Sequence, residues 1–80
     1  MSAFWAKSVF PTRHIDVTPD DDVDLPGNAG WVIYVMTDGD VEVHDFFGTA
    51  ITYTAVAGSF LPVLVKRVLE GTSASVVALQ

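Results

Sequence analysis

The sequence predicts an all-β fold: a small antiparallel β-sandwich or barrel of about six short strands, with an N-terminal apolar arm. Three observations lead there. Short runs rich in β-branched and aromatic residues recur along the chain, several alternating polar with apolar. Clusters of Gly, Pro, Asn and Asp separate them at short intervals. No stretch holds a helical period; Leu61 to Glu70 comes nearest, and there Pro62 and the valines argue against a helix.

Residues 1–12 read as a docking arm and 13–80 as a single β domain. The arm is apolar and aromatic (Phe4, Trp5, Val9, Phe10) and ends at Pro11. Arg13 to Val17 alternates and gives a first strand, closed by Thr18-Pro19. A loop with four aspartates, Asp20, Asp21, Asp22 and Asp24, runs on to Gly30. Trp31 to Thr37 is a strong second strand. Asp38-Gly39 then reads as a two-residue hairpin turn, which returns Val41 to Phe46 antiparallel to it. On that third strand Val41 and Val43 face one way, Glu42 and His44 the other. After Gly48 the run Thr49 to Val56 puts Ile51, Tyr53 and Ala55 on one face, Thr52 and Thr54 on the other. Phe60 to Leu69 is a fifth strand whose Pro62 demands an edge or a bulge. Ser75 to Leu79 is the last.

Eighty residues make one domain with a thin core, since a chain of this size buries only about 60% of its unfolded surface. Small folds compensate with disulfides, metals or oligomerisation. There is no cysteine and there are two histidines, so oligomerisation is the expected route. Half of the residues are apolar, 18% are charged and the mean hydropathy is +0.40. That is more apolar surface than a lone body of this size readily hides. Trp31 to Met36, apolar on both faces, concentrates the excess; a strand covered twice needs a second layer, from the arm or from a neighbouring subunit.

The net charge of −6 argues against nucleic-acid phosphates and anionic membranes as partners. Lys7 interrupts the apolar start, so no secretory signal is expected, and no run approaches the length of a membrane span.

No catalytic residue, cofactor or metal is expected. Counted from Asp20, the EF-hand positions for Gly and Glu hold Leu25 and Trp31, so the acidic run is read as a solvated loop rather than a Ca²⁺ site. Two carboxylates working as acid and base would need a pocket that such a loop does not supply. His14 and His44 have no nucleophile motif nearby and read as surface or interface histidines. Lys66-Arg67 carries half of the positive charge; it reads either as a partner for an acidic neighbour, such as the Asp loop of an adjacent subunit, or as an exposed strand end. The aromatics Trp5, Trp31, Tyr34, Tyr53 and the phenylalanines have the makings of a sugar-stacking platform, but aromatics in small β domains more often form core. The candidate subunit or capsid interface is Phe4, Trp5, Phe10, Trp31, Tyr34, Lys66 and Arg67.

The order of the motifs resembles the spike-base proteins of tailed-phage virions and of phage-like gene transfer agents. Thr18-Pro19-Asp20-Asp21-Asp22-Val23-Asp24-Leu25-Pro26 matches the family's segment ending in Asp-Leu-Pro. The strand Trp31 to Thr37 leads to Asp38-Gly39-Asp40, at the family's Gly-Asp turn. Gly58-Ser59-Phe60-Leu61-Pro62-Val63-Leu64-Val65-Lys66-Arg67-Val68 matches Gly-x-x-x-Pro-x-x-Val-Lys-Arg-Val, and Gly71-Thr72-Ser73-Ala74-Ser75-Val76-Val77-Ala78-Leu79 matches its end. The chain departs from the family at Trp31, at Glu70-Gly71 and in its aromatic arm. The resemblance implies a virion structural protein on the capsid surface: a homo-oligomeric base, a pentamer if seated at five-fold vertices, that contacts the major capsid protein and anchors a head spike or fibre. A capsid decoration or cement protein without a fibre, and a small carbohydrate-binding module contacting host glycans, are the alternatives.

Overall fold

Side-chain alternation decides which face of each strand is buried, and the strands assemble accordingly. The computed structural model describes residues 11–27 and 29–80. The arm residues Phe4, Trp5 and Phe10 lie outside the described residues. The elements are β1 (His14–Asp16), β2 (Val32–Val35), β3 (Gly39–His44), β4 (Ala50–Ala55), β5 (Arg67–Val68) and β6 (Val76–Leu79). They form two three-stranded antiparallel sheets, β1-β6-β2 and β4-β3-β5. No helix or closed barrel appears among the described residues.

One core serves both sheets. Trp31, Ile33 and Val35 come from β2 and its approach, Val76 and Ala78 from β6, Val41 and Val43 from β3, Ala55 from β4 and Val68 from β5. Their period-2 spacing is what places them together. On β3 the expected split holds: Val41 and Val43 are buried, while Glu42 and His44 are half-buried on the other face. On β4 the inner face runs from half-exposed Ile51 through Tyr53 to buried Ala55, so that strand leans over the core at one end only.

Two sequence expectations fail on pairing. Asp38-Gly39 is not a hairpin turn, and β3 does not pair with β2; the chain crosses there from one sheet to the other. The reason is that both edges of β2 are taken. β6 occupies one edge, with Ile33 opposite Ala78 and Val35 opposite Val76. Residues 58–65 occupy the other: the Trp31 and Val65 backbones exchange hydrogen bonds of 3.1 and 2.9 Å, and Leu61 N–H donates to the Ile33 carbonyl at 3.0 Å. At the crossing Gly39 has φ +152°, and a Cβ there would lie 2.8 Å from Ser73 Oγ and 3.0 Å from Ala74 N. Only glycine fits where these two chains approach so closely.

The other failure is the fifth strand. Phe60 to Leu69 is not continuous. It bridges β2 at Phe60 and Val65, bends at Pro62-Val63, then joins β3 as β5, with Val68 opposite Val43 and Arg67 opposite His44. Proline cannot donate to a ladder, and the break falls where it stands. This one segment thereby stitches the two sheets.

Candidate assembly interface

The bend at Pro62 turns apolar side chains outward. Leu61 and Val65 point into the core, whereas Phe60 and Leu64 are 58% and 52% exposed. Phe60 rests against Tyr34, ring centroids 5.0 Å apart and planes tilted by 59°. This pair covers part of the outer face of β2. Beside it an open apolar groove of about 260 Å³ is lined by Val32, Leu61, Pro62, Val63 and Leu64. Val63 also borders a smaller hollow with Val43, Ile51 and Tyr53, so the apolar surface reaches the inner face of β4.

The β3–β4 turn extends the same surface. Asp45 Oδ1 accepts from Phe47 N–H at 2.8 Å and Thr49 N–H at 3.0 Å, which holds Phe46 and Phe47 at the turn tip. Phe46 and Leu64 both lie against Gly30, where an added Cβ would meet them at 3.2 and 3.1 Å. Phe47 stands 94% exposed. Large apolar side chains grouped in this way on a small protein mark an interaction surface rather than scattered exposure.

The charged elements occupy a separate region. Arg67 Nε donates to Asp24 Oδ1 at 2.7 Å, and its Nη1 donates to the Asp21 carbonyl at 2.7 Å. Lys66 Nζ lies 3.7 Å from Asp24 Oδ2. The acid partner expected for Lys66-Arg67 is thus supplied by the loop of the same chain. Loss of hydration opposes ionisation of Asp24, but the Arg67 hydrogen bond and charge, with Lys66 behind them, outweigh it and hold the carboxyl below its ordinary value. Further bonds clip the loop to β5: Asp20 N–H to the Val68 carbonyl, Leu25 N–H to the Lys66 carbonyl, and Glu70 N–H to Asp21 Oδ1. Asp22 N–H closes an Asx turn on Asp20 Oδ1 at 2.8 Å.

Trp31, expected at an interface, is 1% exposed in the chain's own core. Its Nε1–H donates to the Pro26 carbonyl at 2.8 Å, and the Arg13 guanidinium lies 5.2 Å over its ring. Tyr34 is half-buried beneath Phe60. The structure therefore brings Tyr34 into the apolar surface and places Trp31 beneath it, with Lys66 and Arg67 on the loop side. The interface expected from sequence did not include Phe46, Phe47, Phe60 or Leu64. Their signals were two phenylalanines directly before a turn glycine, and apolar residues flanking a proline that breaks a strand.

Among the described residues no group of three or more His, Asp or Glu side chains is placed to hold a metal ion. What the arrangement offers is packing surface and strand edges.

No protein-family model matches the chain, and no curated protein matches it. A solved structure does. A chain in the capsid of a native GTA particle, computed with C5 symmetry, shares 38% identity and superposes with a TM-score of 0.75. The match covers 88% of this chain and 83% of that one. Identity at this level over most of both chains reflects common descent as well as a shared fold, and the chain belongs to the same protein family as that GTA capsid chain.

Proposed function

We propose that this protein is a structural subunit of a phage-like virion: a homo-oligomeric base on the capsid surface, seated at vertices, that anchors a head spike or fibre. The observation that carries the reading is the relative within the capsid of a native GTA particle. The C5 symmetry of that particle computation favours a pentamer at a five-fold vertex. The mechanism is adhesion without chemistry. The apolar surface around Phe60, Leu64 and Phe46 supplies the buried centre of a contact, and the polar loops supply its rim. The arm residues Phe4, Trp5 and Phe10, together with Tyr34, Lys66 and Arg67, complete the contacts to neighbouring subunits, the major capsid protein or the spike; Trp31 supports them from the core.

Quantitative mass spectrometry of purified particles, made with and without this protein, tests the reading. The expected result is a copy number that is a small fraction of the shell protein's, and loss of the spike or fibre protein from particles lacking the base. Stoichiometry approaching that of the shell protein, with the spike retained, would instead favour a decoration or cement protein. Absence from particles would remove the virion reading. A glycan array probed with the assembled oligomer examines the carbohydrate-binding alternative, for which no binding is expected.

A further inference from the structure

The sheet β4-β3-β5 has two edges, and the described chain covers one. On the β5 side Asp20 and Leu25 donate to the Val68 and Lys66 carbonyls, so the acidic loop occupies that edge. On the β4 side no described residue outside β3 bonds to the backbone of Ala50–Ala55.

The pairing shows which groups are left. The carbonyls of Asp40, Glu42 and His44 accept from Ser73, Leu69 and Lys66, away from β4. By alternation, Val41 and Val43 bond to their β4 partners Tyr53 and Ile51. Ala50, Thr52 and Thr54 therefore present N–H and C=O outward. Among the described residues this edge carries none of the usual protection: Ala50–Ala55 holds no charge and no proline, and its register to β3 is unbroken. An incoming strand would set alternate side chains beside half-exposed Ile51 and the hollow formed with Val43, Tyr53 and Val63.

We infer that residues 2–10 of one copy add as an antiparallel or parallel strand to the β4 edge of the next copy. The inference deepens, and rests on, the oligomeric reading above. The segment is apolar, carries Phe4, Trp5, Val9 and Phe10, and has a single charge, Lys7, in a chain of net charge −6. It enters the described structure at Pro11, next to β1, where Thr12 and Arg13 N–H groups donate to the Gln80 carbonyl. The β1 side faces β5, since Asp20, just after β1, bonds to Val68. The β4 edge lies toward residues 58–65, through Val63. The segment thus starts at the opposite side of the molecule from the edge it fits. Crossing three strands at ~4.8 Å each takes roughly four to five extended residues. Within one copy, residues 6–10 would be spent on the crossing and Val9 and Phe10 would never reach β4. Donation to a copy whose β4 edge lies beside Pro11 would leave the whole segment free to pair. It is also a head-to-tail contact, the kind that closes into a ring under rotation.

The test uses the full chain. Trp5 is replaced by a photoreactive benzoylphenylalanine in a mixture of isotopically light and heavy chains, and amide exchange is followed on the unmodified oligomer. The expected result is light–heavy cross-links into residues 49–56, with Thr52 and Thr54 amides exchanging at least about tenfold more slowly in the oligomer than in diluted monomer. Thr52→Pro, which removes an outward donor and leaves the β3 ladder intact, is expected to run at monomer mass with wild-type circular dichroism. Cross-links confined to single chains or to other segments overturn the inference, as does an oligomer whose Thr52 and Thr54 amides exchange freely; either result leaves the oligomeric reading standing. A wild-type chain that stays monomeric both in solution and on particles overturns both.

Discussion

Arg67 and Asp24 stand 43 residues apart in the chain, and the guanidinium Nε lies 2.7 Å from the Asp24 carboxylate. The contact fixes the acidic loop against the edge of β5, so that the run of aspartates covers that edge. Because the pair is partly exposed, its role is to place the loop more than to stabilise the whole fold.

A pH dependence follows from that pair. The folded-state carboxyl of Asp24 titrates below its ordinary value. Its stabilising effect is therefore fully present above the unfolded-state pKa, near 4 for aspartate, and is lost as pH falls through the lower folded value. Thermal melts of wild type and Asp24→Asn should differ at neutral pH and converge in strong acid. Equal separation of the two at every pH would contradict the pairing.

Trp31 joins the core to the loop through its Nε1–H bond to the Pro26 carbonyl. Trp31→Phe keeps an aromatic ring but loses that donor and some volume. A loss of about 1–3 kcal/mol in chemical denaturation is expected.

Burial separates two other substitutions. Ile33 has no exposed surface, and Ile33→Ala should cost about 2–5 kcal/mol, enough to threaten folding of so small a domain. Phe47 is 94% exposed, and Phe47→Ala should change monomer stability by no more than about 0.5 kcal/mol. Denaturant midpoints of the two variants make the comparison.

Gly39 combines positive φ with a close approach to Ser73 and Ala74. Gly39→Ala should strain the crossing between sheets and displace Ser73 Oγ from the Asp40 N–H it accepts, at a cost of about 1–3 kcal/mol. Calorimetric melting would reveal it; a Tm equal to wild type would mean that the crossing relaxes freely.

Phe60 and Leu64 are exposed in the single chain, so charge is tolerable there for folding but not within a buried contact. Leu64→Asp should leave the melt of the isolated chain nearly unchanged and reduce incorporation into particles severalfold, read by quantitative mass spectrometry. Normal incorporation would place the contact surface elsewhere.

The sequence made the local level legible and the pairing less so. Alternation at Val41, Glu42, Val43 and His44 was enough to assign faces, because that pattern depends only on strand geometry. The all-β class and the places of five strands followed from the same signal, while the fifth expected strand, Phe60 to Leu69, is broken and only Arg67–Val68 joins β3. Asp38-Gly39 misled because a turn dipeptide reports local φ freedom, not which strand lies beside which. That choice is made by competition for the β2 edges, won by β6 and residues 58–65. Pro62 correctly marked an irregularity, but its consequence, one segment serving two sheets, depends on partners more than thirty residues away for Val65 and over twenty for Val68. At the candidate interface, bulk hydrophobicity drew attention to Trp31, which the core claims, and away from Phe60 and Leu64, which a bend turns outward.

The measurement closest to the central claim is a localised reconstruction of native particles at their vertices, with this chain fitted into the density. The expected result is a ring of copies on the outer capsid surface at the five-fold axis, continuous with outward spike or fibre density. Vertices whose density excludes this fold, in particles from which the chain is also absent by mass, would contradict it.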